Sequence, residues 1–141
     1  MSEENVEAVR SIAEAFQRRD REGSERAFDV LDPDVEWDAS RLAKVVPDIA
    51  SVYQGHEGVR AFWRRWLEAW RDIRFEIEDV RDAGDEVVLL IRDQRMWGRH
   101  SGVETSFQAY GWVYTFGGGK IVRVRWYPDQ AAALEAAGLD G

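Results

Sequence analysis

Tyr53-Gln54-Gly55-His56-Glu57-Gly58-Val59-Arg60-Ala61-Phe62-Trp63-Arg64-Arg65-Trp66-Leu67-Glu68-Ala69-Trp70 is the stretch on which the fold turns. It starts as a turn and becomes a helix. Gly55 and Gly58 bracket His56 and Glu57, which leaves the backbone free to bend at the entry. Glu57 falls in or beside the first turn, where a negative charge suits the positive end of the helix dipole. Val59, Phe62, Trp63, Trp66, Leu67 and Trp70 recur at spacings of three and four, so they share one broad face. Arg60, Arg64, Arg65, Glu68 and Arg71 fall mostly on the other. Three tryptophans on one helix face need a large surface to lie against.

The chain beyond this helix supplies that surface. From Arg74 the period changes to two, with Ile73, Phe75 and Ile77 on one side. Asp82-Ala83-Gly84-Asp85 predicts a hairpin turn. Glu86 to Trp97 follows as a long strand, whose continuous apolar centre, Val87 to Ile91, implies cover on both faces. Val103 to Phe116 and Lys120 to Tyr127 are two further strands, joined by Gly117-Gly118-Gly119. Pro128 ends the last one, and Asp129 caps a closing helix that Gly138 stops.

Before the central helix, Ser2 and the acidic pair Glu3 and Glu4 open a helix striped with Val6, Val9, Ala13 and Phe16. Arg18 and Arg19 lie at its favourable end for cations. Asp20 to Gly23 breaks it, and Ser24 is the expected cap of a short second helix. Asp32-Pro33-Asp34 predicts an Asx turn before a short strand, Val35 to Asp38. Ala39 to Val52 shows no period and is interrupted by Pro47; it is either a surface loop or a cavity wall. Strands joined by short turns pair antiparallel, so the expected class is α+β: a strongly curved, mainly antiparallel sheet wrapped around N-terminal helices.

Composition narrows the functional classes. A chain of 141 residues fits one domain spanning 1–141. The formal charge of −8 argues against general nucleic-acid binding. No apolar run approaches the ~20 residues of a membrane span, and the N-terminus lacks a signal-peptide pattern, so no membrane partner and a cytoplasmic location are expected. With no cysteine and no ligand-spaced cluster around His56 and His100, no metal site and no cofactor are expected. Seven tryptophans are available either as core or as the wall for an apolar or aromatic ligand.

Three motifs carry a family resemblance: Leu31-Asp32-Pro33-Asp34-Val35-Glu36-Trp37, the stretch Tyr53 to Arg60, and Gly119-Lys120-Ile121-Val122 leading to Tyr127. Together they resemble the nuclear-transport-factor-2-like superfamily, and within it the SnoaL-like (polyketide-cyclase-like) branch, over about Glu4 to Leu139. The resemblance implies a cone enclosing a pocket. It also implies a homodimer through the outer sheet face. Enzymes of the superfamily include polyketide cyclases, ketosteroid isomerases, dehydratases and epoxide hydrolases; other members bind ligands or partners without catalysis. None of their catalytic sets is matched in full here.

Two residues are candidates for acid–base chemistry. Asp38, after the first strand, is a candidate general acid or base at the cavity mouth, or a solvated turn aspartate. His56, of the residue type best suited to moving protons near neutral pH, is a candidate proton shuttle, or a turn residue bonded to backbone. Trp37, Tyr53, Trp63, Trp66, Tyr110 and Trp112 are candidate pocket walls. Tyr127 is a candidate hydrogen-bond donor, or a core tyrosine. Arg92 and Gln94 share one side of their strand, Asp93 and Arg95 the other; Arg92 is the candidate anion contact, unless a bulge reverses the faces. The functional expectation is a small-molecule pocket protein doing cofactor-independent acid–base work on an apolar or polycyclic substrate. The alternative is a non-catalytic ligand-binding or dimeric interaction module.

Overall fold

A computed structural model describes residues 2–18, 20–46 and 49–139, with the backbone but not the side chain of Ser2. The expected Ser2 cap, the charge at Arg19 and the interruption at Pro47 lie outside the described residues. The elements are α1 (Ser2–Gln17), α2 (Arg21–Arg26), a 3-10 turn (Ala27–Asp29), β1 (Leu31–Asp38), β2 (Val52–Gln54), α3 (Gly55–Ala69), β3 (Trp70–Ala83), β4 (Glu86–Gly98), β5 (Glu104–Gly117), β6 (Lys120–Tyr127) and α4 (Gln130–Ala136). They build one curved, unclosed six-stranded sheet in the order β2-β1-β6-β5-β4-β3. Every pairing is antiparallel except β1 with β6. The fold is α+β, as expected.

Three local expectations need correction. Asp20, not Ser24, caps α2: it sits in an extended conformation and accepts a 3.0 Å bond from the Gly23 N–H. The Asx bond from the Asp34 N–H to Asp32 is present at 2.8 Å, but β1 already starts at Leu31, and a bulge against β6 accommodates the turn. Trp70 is not on the helix. It adopts extended angles as the C-cap of α3 and opens β3. Helical spacing runs on through Trp70 because the strand buries that ring too, beside Trp66 at 5.9 Å. Leu67, expected inside, is 46% exposed.

Gly55 is where α3 requires a glycine. Its φ is +69°, and a Cβ there would lie 3.0 Å from the Pro33 carbonyl. Val59, Phe62 and Trp66 then face the core. The sheet has two covered faces. Val87, Leu89 and Ile91 join the core under α1 and α3. Val88 and Leu90 point the other way, into a second core with Val113, Tyr127, Ala133 and Leu134 of α4. Gly111 lets α4 approach: a Cβ there would stand 2.7 Å from that of Ala133.

One irregularity decides what lines the inner face. The β3–β4 register jumps so that Arg92 is an extra, unpaired residue. Across the β4–β5 ladder it faces Ala109, which carries a φ of +50°. Inward positions therefore change parity. On β4 they run Val87, Leu89, Ile91, then Gln94 and Met96; on β5, Phe107 precedes Tyr110, Tyr114 and Phe116.

Candidate functional site

Between α1–α2, α3 and the inner sheet face lies a cavity of about 760 Å³. Its walls are mostly apolar and rich in aromatic rings, because the surrounding elements turn rings toward it: Phe16 from α1, Trp37 from β1, Phe62, Trp63 and Trp66 from α3, Phe107 and Trp112 from β5, and Trp126 from β6. Trp37 is the hub. Its ring lies 5.4 Å from Phe62, 5.8 Å from Trp63 and 5.3 Å from Trp112. Phe62 stacks on Trp66 at 5.8 Å with planes only 15° apart. Edge-to-face and offset contacts of this kind add about 0.5–1.5 kcal/mol per pair beyond area burial, so the walls are held largely by one another.

Polar groups are few at the cavity floor. Gln94, 8% exposed, donates from Nε2 to the Met96 sulfur at 3.2 Å, which leaves its Oε1 to accept from the Tyr110 hydroxyl. Burial pushes the Tyr110 hydroxyl far above its ordinary pKa, only partly offset by the Trp112 indole, and burial does the same for Tyr114. Both tyrosines are neutral at any physiological pH and serve as hydrogen-bonding groups, not bases. The indole N–H groups of Trp37 and Trp70 are buried without a partner among the described residues, although both rings line the cavity.

Five of the expected residues surround this space: Trp37, Trp63, Trp66, Tyr110 and Trp112. The other five do not line it. Asp38 points from the opposite sheet face, between Arg123 at 3.6 Å and Arg41 at 3.9 Å, and accepts from the Ser40 N–H and hydroxyl at 3.0 and 2.6 Å. Burial raises its pKa, but the Ser40 hydrogen bonds and the two arginines outweigh that, so the carboxyl titrates below its ordinary value. Tyr127 shares that outer face, under α4, with the Arg41 guanidinium 4.3 Å from its ring centre. Arg92 is the exposed bulge residue, 3.7 Å from Glu78, so the reversed face is Gln94's alone to enter. His56 Nε2 lies 2.9 Å from the Leu31 carbonyl and donates to it, with the ring edge-on to Phe28. The Tyr53 hydroxyl accepts from the Ala50 N–H at 2.9 Å.

Wall residues that the sequence did not mark as pocket candidates include Phe16, Phe62, Gln94, Phe107, Trp126 and the strand-borne Trp70. Alternation carried the signal for Trp126, opposite Trp112 in the β5–β6 register. No local signal marks Phe107, because the parity change at Ala109 separates it from Tyr110 and the rest of the inward positions. Among the described residues no group of three His, Asp or Glu side chains is placed to hold a metal ion.

The model of the SnoaL-like domain family matches residues 9–124. The chain belongs to the SnoaL-like family. No curated protein matches it. Solved structures share the SnoaL-like architecture over nearly the whole chain. A nuclear-transport-factor-2-like protein of unknown function from Burkholderia pseudomallei is 25% identical with a TM-score of 0.72, covering 94% of this chain and 95% of that one. A nuclear-transport-factor-2-like protein from Burkholderia thailandensis is 24% identical, TM-score 0.70, with 94% and 95% covered. TerC, co-crystallised with polyporic acid, is 23% identical, TM-score 0.71, with 96% and 98% covered. No described helix is long and apolar enough to cross a membrane.

Proposed function

We propose that this SnoaL-like chain is a small-molecule pocket protein whose cavity takes a flat aromatic or polycyclic ligand. The observation that carries this reading is the composition of the walls: about 760 Å³ bounded by indole and phenyl rings, with two buried indole N–H groups left without partners among the described residues. That volume falls in the range of ligand pockets, and a few placed polar groups in an apolar cavity are their usual pattern. A protein of the same fold co-crystallised with polyporic acid supports a small molecule as occupant.

Binding without acid–base catalysis is the favoured form of this function. The two side chains expected to do proton chemistry, Asp38 and His56, are engaged elsewhere, and the cavity floor presents a neutral amide and a neutral phenol. A homodimer through the outer sheet face gains no support from that face. Its apolar middle lies under α4, and ion pairs such as Arg123–Glu36 at 2.9 Å and Arg125–Glu86 occupy its flanks.

The test is a thermal-shift panel of polycyclic ketones, epoxides, steroids and aromatic acids. A ligand at a hundred times its dissociation constant stabilises the folded state by ~2.7 kcal/mol. Stabilisation by flat ring systems, with turnover absent on the stabilising compounds, is expected. Turnover of any of them would restore the enzyme reading, and no stabilisation by any class would overturn the pocket.

A further inference from the structure

The wall of the cavity is apolar, but its rim is not, and the charge there runs against the rest of the chain. The full sequence carries a net −8. Around the cavity the balance reverses: Arg21, Arg60, Arg64, Arg71 and Arg99 line it, against Glu25 and Asp72. Two of these arginines have structural work. Arg60 is held by Glu25 in a two-oxygen contact at 2.8 and 3.1 Å. Arg99 binds the end of α3, donating to the carbonyls of Leu67, Glu68 and Trp70 at 2.7, 3.2 and 3.3 Å.

The remaining pair near Arg99 is uncommitted. Arg64 and Arg71 make no ion pair or hydrogen bond with any described residue. Arg60, Arg64 and Leu67 follow one line along α3 at helical spacing, and Arg71 lies just past its end. Arg99 fixes a third positive charge at the same end of α3 by bonds to backbone carbonyls, and among the described residues it forms no ion pair. Arg64 and Arg99 also line an adjoining shallow groove with Leu67, His100 and a single carboxylate, Glu68. Positive charge set at the mouth of a low-dielectric cleft focuses the field and concentrates anions there. Guanidinium groups further pair with carboxylates in a fixed, two-pronged geometry.

We infer that the ligand of this cavity is an aromatic acid, with its rings among the tryptophans and its anionic group at the rim between Arg64, Arg71 and Arg99. This inference rests on the pocket reading and adds to it the charge and orientation of the occupant. Without the rim, the neutral walls would favour uncharged polycycles over their acids, because an ion loses hydration on entering. With it, the preference reverses and depends on salt, since exposed charges are screened beyond about 10 Å at 0.1 M ionic strength.

Anthracene-9-carboxylate and its neutral analogue anthracene-9-methanol separate the two parts. Both are fluorescent, and their affinities are read by titration against the full chain, wild type and the double variant Arg64→Gln, Arg71→Gln. Arg99 is left in place because it terminates α3. The expected result is a carboxylate at least tenfold tighter than the alcohol at low salt, a preference that shrinks as salt is raised. The double variant is expected to lose about tenfold for the carboxylate and less than twofold for the alcohol. Equal affinities in the wild type, or equal losses in the variant, would overturn the acid and leave the pocket standing. Failure of both probes to bind would overturn the pocket itself, and the acid with it.

Discussion

Asp38 shows how one residue's chemistry follows from the face its strand turns outward. Alternation along β1 puts Val35 and Trp37 in the core and Glu36 and Asp38 beneath the β6 arginines. Its carboxyl is held below the ordinary value of about 3.9. A depressed folded-state pKa means that the charged group contributes stability above that ordinary value and loses it as pH falls through the lower, folded one. Asp38→Asn is therefore expected to cost about 1.5–3 kcal/mol at pH 7, the scale of a hydrogen bond to a charged group. The gap should narrow as pH falls below about 4, and the variant should bind cavity ligands as the wild type does. Urea unfolding at pH 7 and pH 3 checks this; a gap that stays constant across that range would show that the charge of Asp38 does not stabilise the fold. The sequence marked Asp38 as polar and strand-terminal, but its direction depends on where β1 begins. That in turn is set by pairing with β6, whose Arg125 stands opposite Asp38 from far along the chain.

At the scale of elements, most of the fold was legible because each strand and helix carries its own period. The β3–β4 and β5–β6 hairpins, the doubly covered centre of β4 and the helix under Gly111 all follow from local patterns. What was not legible arises between elements. The three-residue β2 is too short for a pattern of its own and exists through its pairing with Glu36 to Asp38. The parity change at Arg92 and Ala109 is a property of three strands bending together, and it alone decides that Gln94 and Phe107 face the cavity while Arg92 does not. Ala109 bears the backbone cost: left-handed angles are worth roughly 1–2 kcal/mol against an L residue, most of which glycine avoids. Ala109→Gly is expected to leave the midpoint of thermal unfolding equal or higher, glycine's own flexibility offsetting part of the gain by roughly 0.5–1 kcal/mol. Ala109→Val should lower it. A valine variant as stable as the wild type would mean that the strand runs regularly through position 109, and would remove Gln94 and Phe107 from the floor.

For the whole molecule, the cavity is a cost that the rest of the fold offsets. Rings lining an open space lack contacts on one side, and dispersion lost there is not recovered elsewhere. The curved sheet makes this tolerable by burying its other face under α4, so the second core does not depend on what fills the first. Stability and binding should then be separable by filling the space. Ala13 of α1 is 5% exposed and borders the cavity. Ala13→Leu keeps a strong helix former and adds three carbons, each worth about 0.8 kcal/mol if it finds apolar surroundings. The expected variant is at least as stable as the wild type in denaturant and binds anthracene-9-methanol at least tenfold more weakly. In an already packed core the same substitution would overpack and destabilise by about 1–3 kcal/mol. That outcome would place the free volume away from α1, between α3 and the sheet. A stable variant that binds normally would show that the ligand does not reach the α1 wall. Only the combination of retained stability and lost binding fits a fold that keeps a space open in order to fill it with a second molecule.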